Sequence, residues 1–139
     1  MNVLLALIIA VNTYIGVSTV YLAENWEGQP LYCNNGVNGL DYSPDTGPWG
    51  AMDIGLFQSG AVQCGDWLQV SARDGSFSFY ARAWDSGNLH TATFRGQPVV
   101  VDVPEYYAPW YPDGVPCPEV TVINWSAVAR ELAAAESRR

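Results

Sequence analysis

The sequence predicts a mainly β protein, either a small closed barrel or a sandwich, with one short helix near the C-terminus. About six or seven short segments rich in β-branched and aromatic residues are separated by turns rich in glycine, proline and asparagine, which is typical of hairpin-linked strands. Apolar residues recur at helical spacing in the last segment, after Asn124. With 139 residues, the chain is long enough for one compact domain with one hydrophobic core.

We expect residues 1–17 to be a signal or hydrophobic leader that precedes the folded domain. Val3 to Val11 is an uninterrupted apolar run of the length found in the core of a secretory signal. No lysine or arginine precedes this run and no clear cleavage motif follows it, so other interpretations stay open. Residues 3–23 can also be an uncleaved membrane anchor, or a buried strand or helix.

The folded domain is expected to cover residues 18–123. It begins with a strand at Ser18–Tyr21, where β-branched and aromatic residues follow one another. Residues 24–50 carry many turn motifs, so we expect them to wrap the surface and to form one wall of a cleft. A short strand at Ala51–Leu56 follows this wrapping segment.

The second half of the domain is predicted to be a hairpin followed by two more strands. Asp-Gly at 74–75 suits a hairpin turn between a strand at Asp66–Ala72 and a return strand at Phe77–Trp84. Pro98–Val103 is nearly all apolar, which indicates a strand buried on both faces. After an aromatic and proline-rich loop, Glu119–Ile123 is the final strand.

Residues 124–139 are expected to form the C-terminal helix and a frayed tail. Asn124 or Ser126 can cap this helix, because either side chain can accept a hydrogen bond from a free backbone N–H group of the first turn. The helix would pack its apolar face on the strands. That face consists of Trp125, Val128, Leu132 and Ala135.

The charge balance excludes two classes of partner. Six arginines and no lysine face fourteen acidic residues, which gives a net charge of −8. Nucleic acids and anionic membrane surfaces attract proteins with clustered cations, so neither is an expected partner. The acidity suits a neutral or cationic partner, or simply keeps the protein soluble.

Three cysteines, Cys33, Cys64 and Cys117, bear on the compartment of the protein. Their spacing, with His90 as the single histidine, does not fit a zinc site. In an exported protein two of them would pair, and the pair Cys33–Cys64 would close a loop worth about 3–4 kcal/mol on the chain-entropy estimate. Either pairing with Cys117, or three small buried thiols, is also compatible with the sequence.

Three aspartates, Asp53, Asp85 and Asp102, each follow apolar residues that are predicted to form a strand. A carboxylate at the end of a buried strand is costly unless it is hydrogen-bonded or paired. A chain that repeats this arrangement three times is expected to bring the carboxylates together at one functional site. No Asp-x-Asp-x-Asp spacing supports calcium, so neither a metal nor a cofactor is expected.

Several short motifs occur along the chain in a characteristic order. They are STVY at 18–21, AMD at 51–53, CGDWLQV at 64–70, AWDSG at 83–87, VDV at 101–103 and VTV at 120–122. Their order resembles that of the three-aspartate (3D) domain, a branch of the double-psi β-barrels found in bacterial lytic transglycosylases and muralytic cell-wall proteins. The resemblance covers residues 18–123 and implies a small six-stranded double-psi β-barrel.

The resemblance also implies a function, that of a peptidoglycan lytic transglycosylase. One carboxyl group protonates the leaving oxygen and then accepts the proton of the sugar's own 6-hydroxyl, which gives a 1,6-anhydro product. Asp85 is implied as this acid/base, and Asp53 and Asp102 would tune its pKa or bind sugar hydroxyls. The protein would be a secreted or otherwise extracytoplasmic monomer acting on peptidoglycan or another polysaccharide, with a membrane tether if the leader is retained.

Aromatic residues in the loops are expected to bind sugar, because sugars present flat apolar faces that stack on aromatic rings. The expected substrate-binding residues are Trp49, Trp84, Ser86, Gly87, Tyr107 and Trp110. Trp67 is instead expected in the core, and His90 in a loop without a catalytic role.

Two alternative functions stay open. The missing lysine and the long segments between the aspartates fit a double-psi barrel that binds carbohydrate, or interacts with another partner, without catalysis. The motif Asp85-Ser86-Gly87 after apolar residues also resembles the active-site turn of homodimeric single-domain aspartic proteases. Asn88 departs from that second pattern.

Overall fold

A computed structural model of the chain describes residues 2–26, 30–34 and 47–138. Its strands are β1 (Thr13–Tyr21), β2 (Trp49–Asp53), β3 (Trp67–Ala72), β4 (Ser78–Gly87), β5 (Thr93–Phe94), β6 (Gln97–Pro104) and β7 (Glu119–Asn124). Its helices are α1 (Val3–Val11), α2 (Ala23–Trp26), α3 (Ile54–Ser59) and α4 (Trp125–Ser137), and a 3₁₀ turn covers Leu89–Thr91.

Six of these strands form a closed ring in the order β1-β7-β3-β4-β2-β6, and β6 pairs with β1 again. The β1–β6 and β2–β4 pairs are parallel, whereas the other neighbours in the ring are antiparallel. Strand β5 makes a short hairpin with β6 outside the ring. The prediction of a mainly β fold, a small six-stranded double-psi β-barrel with a short C-terminal helix, is confirmed.

The barrel interior is filled by aliphatic side chains that alternate with outward-facing residues along each strand. Burial of each valine or leucine contributes about 1.5–3 kcal/mol. The buried aliphatic residues of this core include Met52, Val62, Leu68, Val70, Val101, Val103, Val120 and Val122. Because Val101 and Val103 face inward, Asp102 between them faces outward, which places its carboxylate on the outer surface of the barrel.

The predicted hairpin is present, but the strand predicted at Ala51–Leu56 ends earlier. Strand β2 stops at Asp53, and the chain turns at once into α3. The Asp53 side chain caps α3 by accepting a hydrogen bond from the Gly55 N–H at 3.0 Å. This cap stabilises a helical turn where the apolar sequence alone indicates a strand.

Helix α4 is fastened to the barrel by a buried polar cluster. Asn124 caps the helix by accepting a hydrogen bond from the Ala127 N–H, and donates through its side-chain amide to Asp66 at 2.9 Å. Arg130 binds the same carboxylate with two hydrogen bonds of 2.6 and 2.9 Å. Asn124, rather than Ser126, is therefore the capping residue; the Ser126 hydroxyl instead accepts from the Trp67 N–H.

The N-terminal residues pack against the same helix. Helix α1 continues through Asn12 into β1, which begins at Thr13 and not at the expected Ser18. Asn12 is buried and donates a hydrogen bond to Glu131 of α4 at 3.0 Å. No helix in the described part of the chain is long and apolar enough to cross a membrane. The assignment of residues 1–17 to a leader stays a prediction.

One disulfide ties the segment at 30–34 to the barrel. Cys33 and Cys64 are bonded, with their Cα atoms 5.6 Å apart, whereas Cys117 is a free thiol. The Cys33 N–H also donates to the Trp84 carbonyl at 3.0 Å. The pairing of Cys33 with Cys64 agrees with the sequence expectation and fixes residues 30–34 beside β4.

Candidate functional site

Two of the three aspartates, Asp85 and Asp102, meet on the outer face of the barrel. Strand β2 lies between β4 and β6, and its residue Ala51 is paired with Asp85 on one side and with Asp102 on the other. Thr19 of β1 is the next residue in this row, since it pairs with Asp102. Register partners point to the same face of a sheet, so the two carboxylates flank the small side chain of Ala51. We call this row, with Tyr21, the carboxylate groove.

Asp102 is half-buried in this groove, and the Thr19 hydroxyl donates a hydrogen bond to its Oδ1 at 2.9 Å. Burial disfavours the charged form, and the neighbouring Asp85 adds like-charge repulsion. These two effects outweigh the hydrogen bond from Thr19 and raise the pKa of Asp102 to about 6. A large fraction of Asp102 therefore carries a proton in mildly acidic solution.

Asp85 is more deeply buried, with 8% of the residue exposed. Its Oδ1 accepts a hydrogen bond from the Tyr32 N–H at 2.9 Å, and its carboxylate also accepts one from the Tyr21 hydroxyl. Burial raises the pKa of Asp85 above its ordinary value, although the hydrogen bonds from Tyr32, Ser86 and Tyr21 act in the opposite direction. Asp85 is thus a buried carboxylate that accepts hydrogen bonds from three donors and has a raised pKa.

A bulge in β4 produces the position of Asp85. Gly50 pairs with Ala83, but the next residue, Ala51, pairs with Asp85, so Trp84 is an extra residue in β4. Such a bulge re-aims the side chains that follow it. Without this extra residue the following side chains would alternate in the opposite sense, and Asp85 would not lie beside Ala51.

Asp53, the third aspartate, has a different set of partners. It lies two residues beyond Ala51 on β2, a separation of about 7 Å along the strand. Its Oδ1 accepts hydrogen bonds from the His90 backbone N–H at 2.9 Å and contacts the His90 ring Nδ1 at 2.6 Å. Burial acts to raise the pKa of Asp53, but the bonds from His90 and Gly55 outweigh it, and the pKa is lowered.

The expected sugar-stacking rings lie mostly inside the protein. Trp49 and Trp84 are 0% and 2% exposed and pack in a second cluster with Leu31 and Cys33. Trp110 is buried in the main core, stacked on Phe77 with ring centroids 5.0 Å apart. These faces are covered by protein, so none is open to a sugar in this conformation.

The remaining expected binding residues lie nearer the groove. Ser86 and Gly87 are half-buried at the end of β4, where they pair with Met52 and Asp53 of β2. Tyr107 is half-buried and packs against both apolar clusters.

Sequence reasoning missed three groups at the groove: Thr19, Tyr21 and Tyr32. Thr19 and Tyr21 fall in the predicted strand Ser18–Tyr21, and their two-residue spacing places them on one face of β1. That spacing was the signal that the two side chains share a face. Their position beside Asp102, however, depends on the pairing of β1 with β6. Tyr32 approaches Asp85 because the disulfide holds its neighbour Cys33 against the barrel.

The groove can accept hydrogen bonds from neutral hydroxyl groups and can hold a transferable proton. Its carboxylates accept hydrogen bonds, and the Thr19 and Tyr21 hydroxyls, which donate their protons to Asp102 and Asp85, keep lone pairs that can accept from a ligand. In the described ranges, no group of three or more histidine, cysteine, aspartate or glutamate side chains is arranged to hold a metal ion. The arrangement suits a polyhydroxylated ligand.

Comparisons with known proteins give a limited result. No protein-family model matches the chain, and no curated protein matches it. One similar solved structure is a mutant of the Clavibacter michiganensis expansin in complex with cellohexaose, with 20% identity and a TM-score of 0.49 over 80% of this chain. The match covers 49% of the expansin chain, so this chain spans about half the length of that structure. Similarity at this level carries no conclusion about function.

Proposed function

We propose that this protein binds a β-1,4-linked cell-wall polysaccharide, such as the glycan strand of peptidoglycan, in the carboxylate groove. The observation that carries the proposal is the pair Asp85 and Asp102, which lie on β4 and β6 and flank Ala51 of the intervening strand β2 on the outer face of the barrel. A sugar hydroxyl can donate to the half-buried Asp102 carboxylate, and Asp85, with 8% of the residue exposed, offers a smaller accessible edge. The Thr19 and Tyr21 hydroxyls extend the same polar row.

Exposed tyrosines near the groove support a carbohydrate ligand. Tyr32 is exposed and packs on Phe57, and its backbone binds Asp85. Tyr106 is exposed just after β6, next to Glu105, whose N–H donates to the Tyr21 carbonyl. Aromatic rings beside carboxylates are the combination that binds sugars, since rings stack on their apolar faces while carboxylates accept from their hydroxyls.

We also infer an extracytoplasmic location. Disulfides persist in oxidising compartments and are rare in the reducing cytosol. The Cys33–Cys64 bond holds one wall of the groove, so the proposed binding site depends on it. A polysaccharide of the cell wall is found in the same compartment.

The test is co-sedimentation of the protein with purified peptidoglycan, microcrystalline cellulose and chitin. Asp102→Asn and Asp85→Asn should each weaken binding by about tenfold, as expected for loss of a hydrogen bond to a charged group. Asp74→Asn, on the exposed hairpin turn, is the matched control and should bind as the wild type does. The proposal fails if the wild type sediments with none of the three polysaccharides.

A second candidate is cleavage of the glycan by lytic transglycosylase chemistry. It is favoured by the raised pKa of Asp102, about 6, because the acid of such a reaction must hold a proton near neutral pH. Asp102 would protonate the leaving oxygen and then accept the proton of the 6-hydroxyl, and Asp85 would keep that pKa high. This assignment differs from the expected acid/base, Asp85.

Mass spectrometry of the soluble products distinguishes binding from cleavage. Anhydromuropeptides released by the wild type and absent with Asp102→Asn would support catalysis at Asp102. Retention of the products with Asp102→Asn, and their loss with Asp85→Asn, would return the acid/base role to Asp85. Sedimentation of all variants without product would leave a binding barrel.

A further inference from the structure

Two exposed aromatic side chains and one half-buried aromatic side chain lie together on the barrel surface away from the carboxylate groove. Trp67 of β3 is 40% exposed and Tyr80 of β4 is 56% exposed. Together with the half-buried Trp125 at the start of α4 they line a shallow depression of about 430 Å³. We call these three residues the aromatic patch. Strand β4 carries Tyr80 near its start and Asp85 near its end, so one strand connects the patch and the groove.

Strand register explains why these rings face solvent. Leu68 and Val70 fill the barrel interior, so Trp67 and Gln69 face outward. Gln69 is paired with Tyr80, and Trp67 with Arg82, which is two residues from Tyr80. Trp67 and Tyr80 are therefore diagonal neighbours on the outer face, with a separation of about 7–8 Å. The expectation that Trp67 lies in the core is overturned.

Both tryptophan rings of the patch are held in place by a neighbouring polar side chain. The Arg82 guanidinium lies over the Trp67 ring, 4.2 Å from its centroid, and donates to the Gly65 carbonyl at 3.2 Å. The Trp125 indole N–H donates to Gln69 Oε1 at 2.9 Å. These contacts order the tryptophan side chains before any ligand arrives, which lowers the entropic cost of binding.

The chemistry of the patch suits a neutral carbohydrate. Its rings can stack on the flat faces of a β-1,4-linked chain. Beside them lie the Tyr80 hydroxyl and the side chains of Gln69, Ser71 and Ser78, which bond to one another and keep further capacity for hydrogen bonds. Among the described residues, those that line the depression include no carboxylate, although the chain carries a net charge of −8. A neutral chain therefore meets apolar rings and polar edges beside the Arg82 guanidinium, with no carboxylate among the lining residues to desolvate.

A second copy of the protein fits this surface less well. A standard protein–protein interface uses about 20–30 residues on each side, whereas the patch offers three rings and a few polar neighbours. A narrow linear ligand needs no more than such a row of rings.

We propose that the aromatic patch is a second polysaccharide-binding surface, which takes the same β-1,4-linked glycan as the carboxylate groove. The proposal rests on the proposed function, since it adds a second contact to the same ligand class. When one site is bound to an insoluble wall, the other site is held near the same polymer at a high effective concentration. Both sites therefore contribute to retention of the protein on the wall.

The experiment measures binding isotherms of the full chain on purified peptidoglycan and microcrystalline cellulose. The variants are Trp67→Ala, Tyr80→Ala and the double variant, with Ile15→Ala as the matched control, because Ile15 is a similarly exposed apolar residue on β1. Each patch substitution should lower the affinity by about fivefold, as expected for loss of one stacking contact, and the double variant by more than tenfold. Ile15→Ala should bind as the wild type does.

Further readouts separate the possible failures. If the wild type binds no polysaccharide, the proposed function fails and this proposal with it. If the wild type binds and Asp102→Asn weakens binding, but the double patch variant binds normally, the patch proposal alone is overturned. If sedimentation velocity shows that the wild type is a dimer and a patch variant is a monomer with unchanged glycan affinity, the proposal is also overturned, in favour of a second copy.

Folding of the variants is checked by circular dichroism and thermal unfolding. Trp67→Ala loses its stacking with Arg82, so Tyr80→Ala tests the proposal even if the tryptophan variant does not fold. In the wild type, titration with soluble chitohexaose should perturb the indole N–H signals of Trp67 and Trp125 in NMR spectra. The buried Trp110 should stay unperturbed, and perturbation of Trp110 alone would contradict the proposal.

Discussion

Asp102 has different proton affinities in the folded and unfolded chain. Its ordinary pKa is 3.8, and burial beside Asp85 raises the folded value to about 6. Between these values the folded state holds a proton that the unfolded state has released. The free energy of unfolding contributed by this group therefore falls as the pH rises from about 4 to 6, and the ionised carboxylate destabilises the protein at higher pH.

We predict that Asp102→Asn stabilises the protein above pH 6. The neutral amide can still accept the Thr19 hydrogen bond, so the free energy of unfolding should rise by about 1–2 kcal/mol at pH 8 and change little near pH 4. Urea unfolding at the two pH values measures this. Glu136→Gln, on the exposed end of α4, controls for loss of one negative charge. A variant that is less stable than the wild type at pH 8 would contradict the prediction.

The contact between α4 and the barrel depends on one buried carboxylate. Asp66 is 4% exposed and accepts hydrogen bonds from Arg130, Asn124 and the Gln63 N–H. Burial acts to raise the pKa of Asp66, but these bonds outweigh it and the pKa is lowered. The cluster joins the end of β7, the start of α4 and the loop before β3, so it sets the position of the helix on the barrel.

Arg130→Met should destabilise the protein by about 2–4 kcal/mol, because it leaves the Asp66 carboxylate buried without its cation. Thermal unfolding at pH 7 measures the loss, and Arg138→Met, at the exposed end of α4, should cost much less. Addition of Asp66→Asn to Arg130→Met should restore part of the stability. If the double variant is less stable than Arg130→Met, the ion pair is not the cause.

Residues 30–34 are attached to the closed barrel from outside. This segment supplies Tyr32 to Asp85 and covers Trp49 and Trp84 with Leu31. The Cys33–Cys64 bond is its covalent anchor. The stability of the whole molecule and the geometry of the groove are therefore linked through one disulfide.

Replacement of Cys33 and Cys64 by serine should lower the free energy of unfolding by about 3–4 kcal/mol, the cost expected for a closed loop of this length. Glycan affinity should fall as well, because the wall beside Asp85 loses its anchor. Urea unfolding with and without dithiothreitol measures the first effect, and the reduced wild type should match the double variant. Cys117→Ser is the control and should change neither the free energy of unfolding nor the glycan affinity. An unfolding midpoint that is the same with and without dithiothreitol would contradict the prediction.

Local sequence patterns predict a substantial part of this structure. The hairpin turn at Asp74-Gly75 and the Asn124 cap depend on residues that are neighbours along the chain, and both are present. The apolar run at Pro98–Val103 coincides with β6, but the expectation of burial on both faces is wrong, because Pro98 is exposed and Val100 and Asp102 are only half-buried. The pairing of Cys33 with Cys64 was among the possibilities that the sequence left open. The order of short motifs was enough for the fold class.

The site itself depends on the closing of the barrel. Asp85 and Asp102 come from strands that both flank β2, and the extra residue Trp84 in β4 brings Asp85 opposite Ala51. Asp53 lies on the same strand as Ala51, but the Leu89–Thr91 turn brings His90 to it. The sequence motifs identified the three candidate carboxylates, whereas the cross-strand register decided which of them lie together. Strand pairing also decided which aromatic rings are exposed, because it determines whether a side chain points into the barrel or out of it.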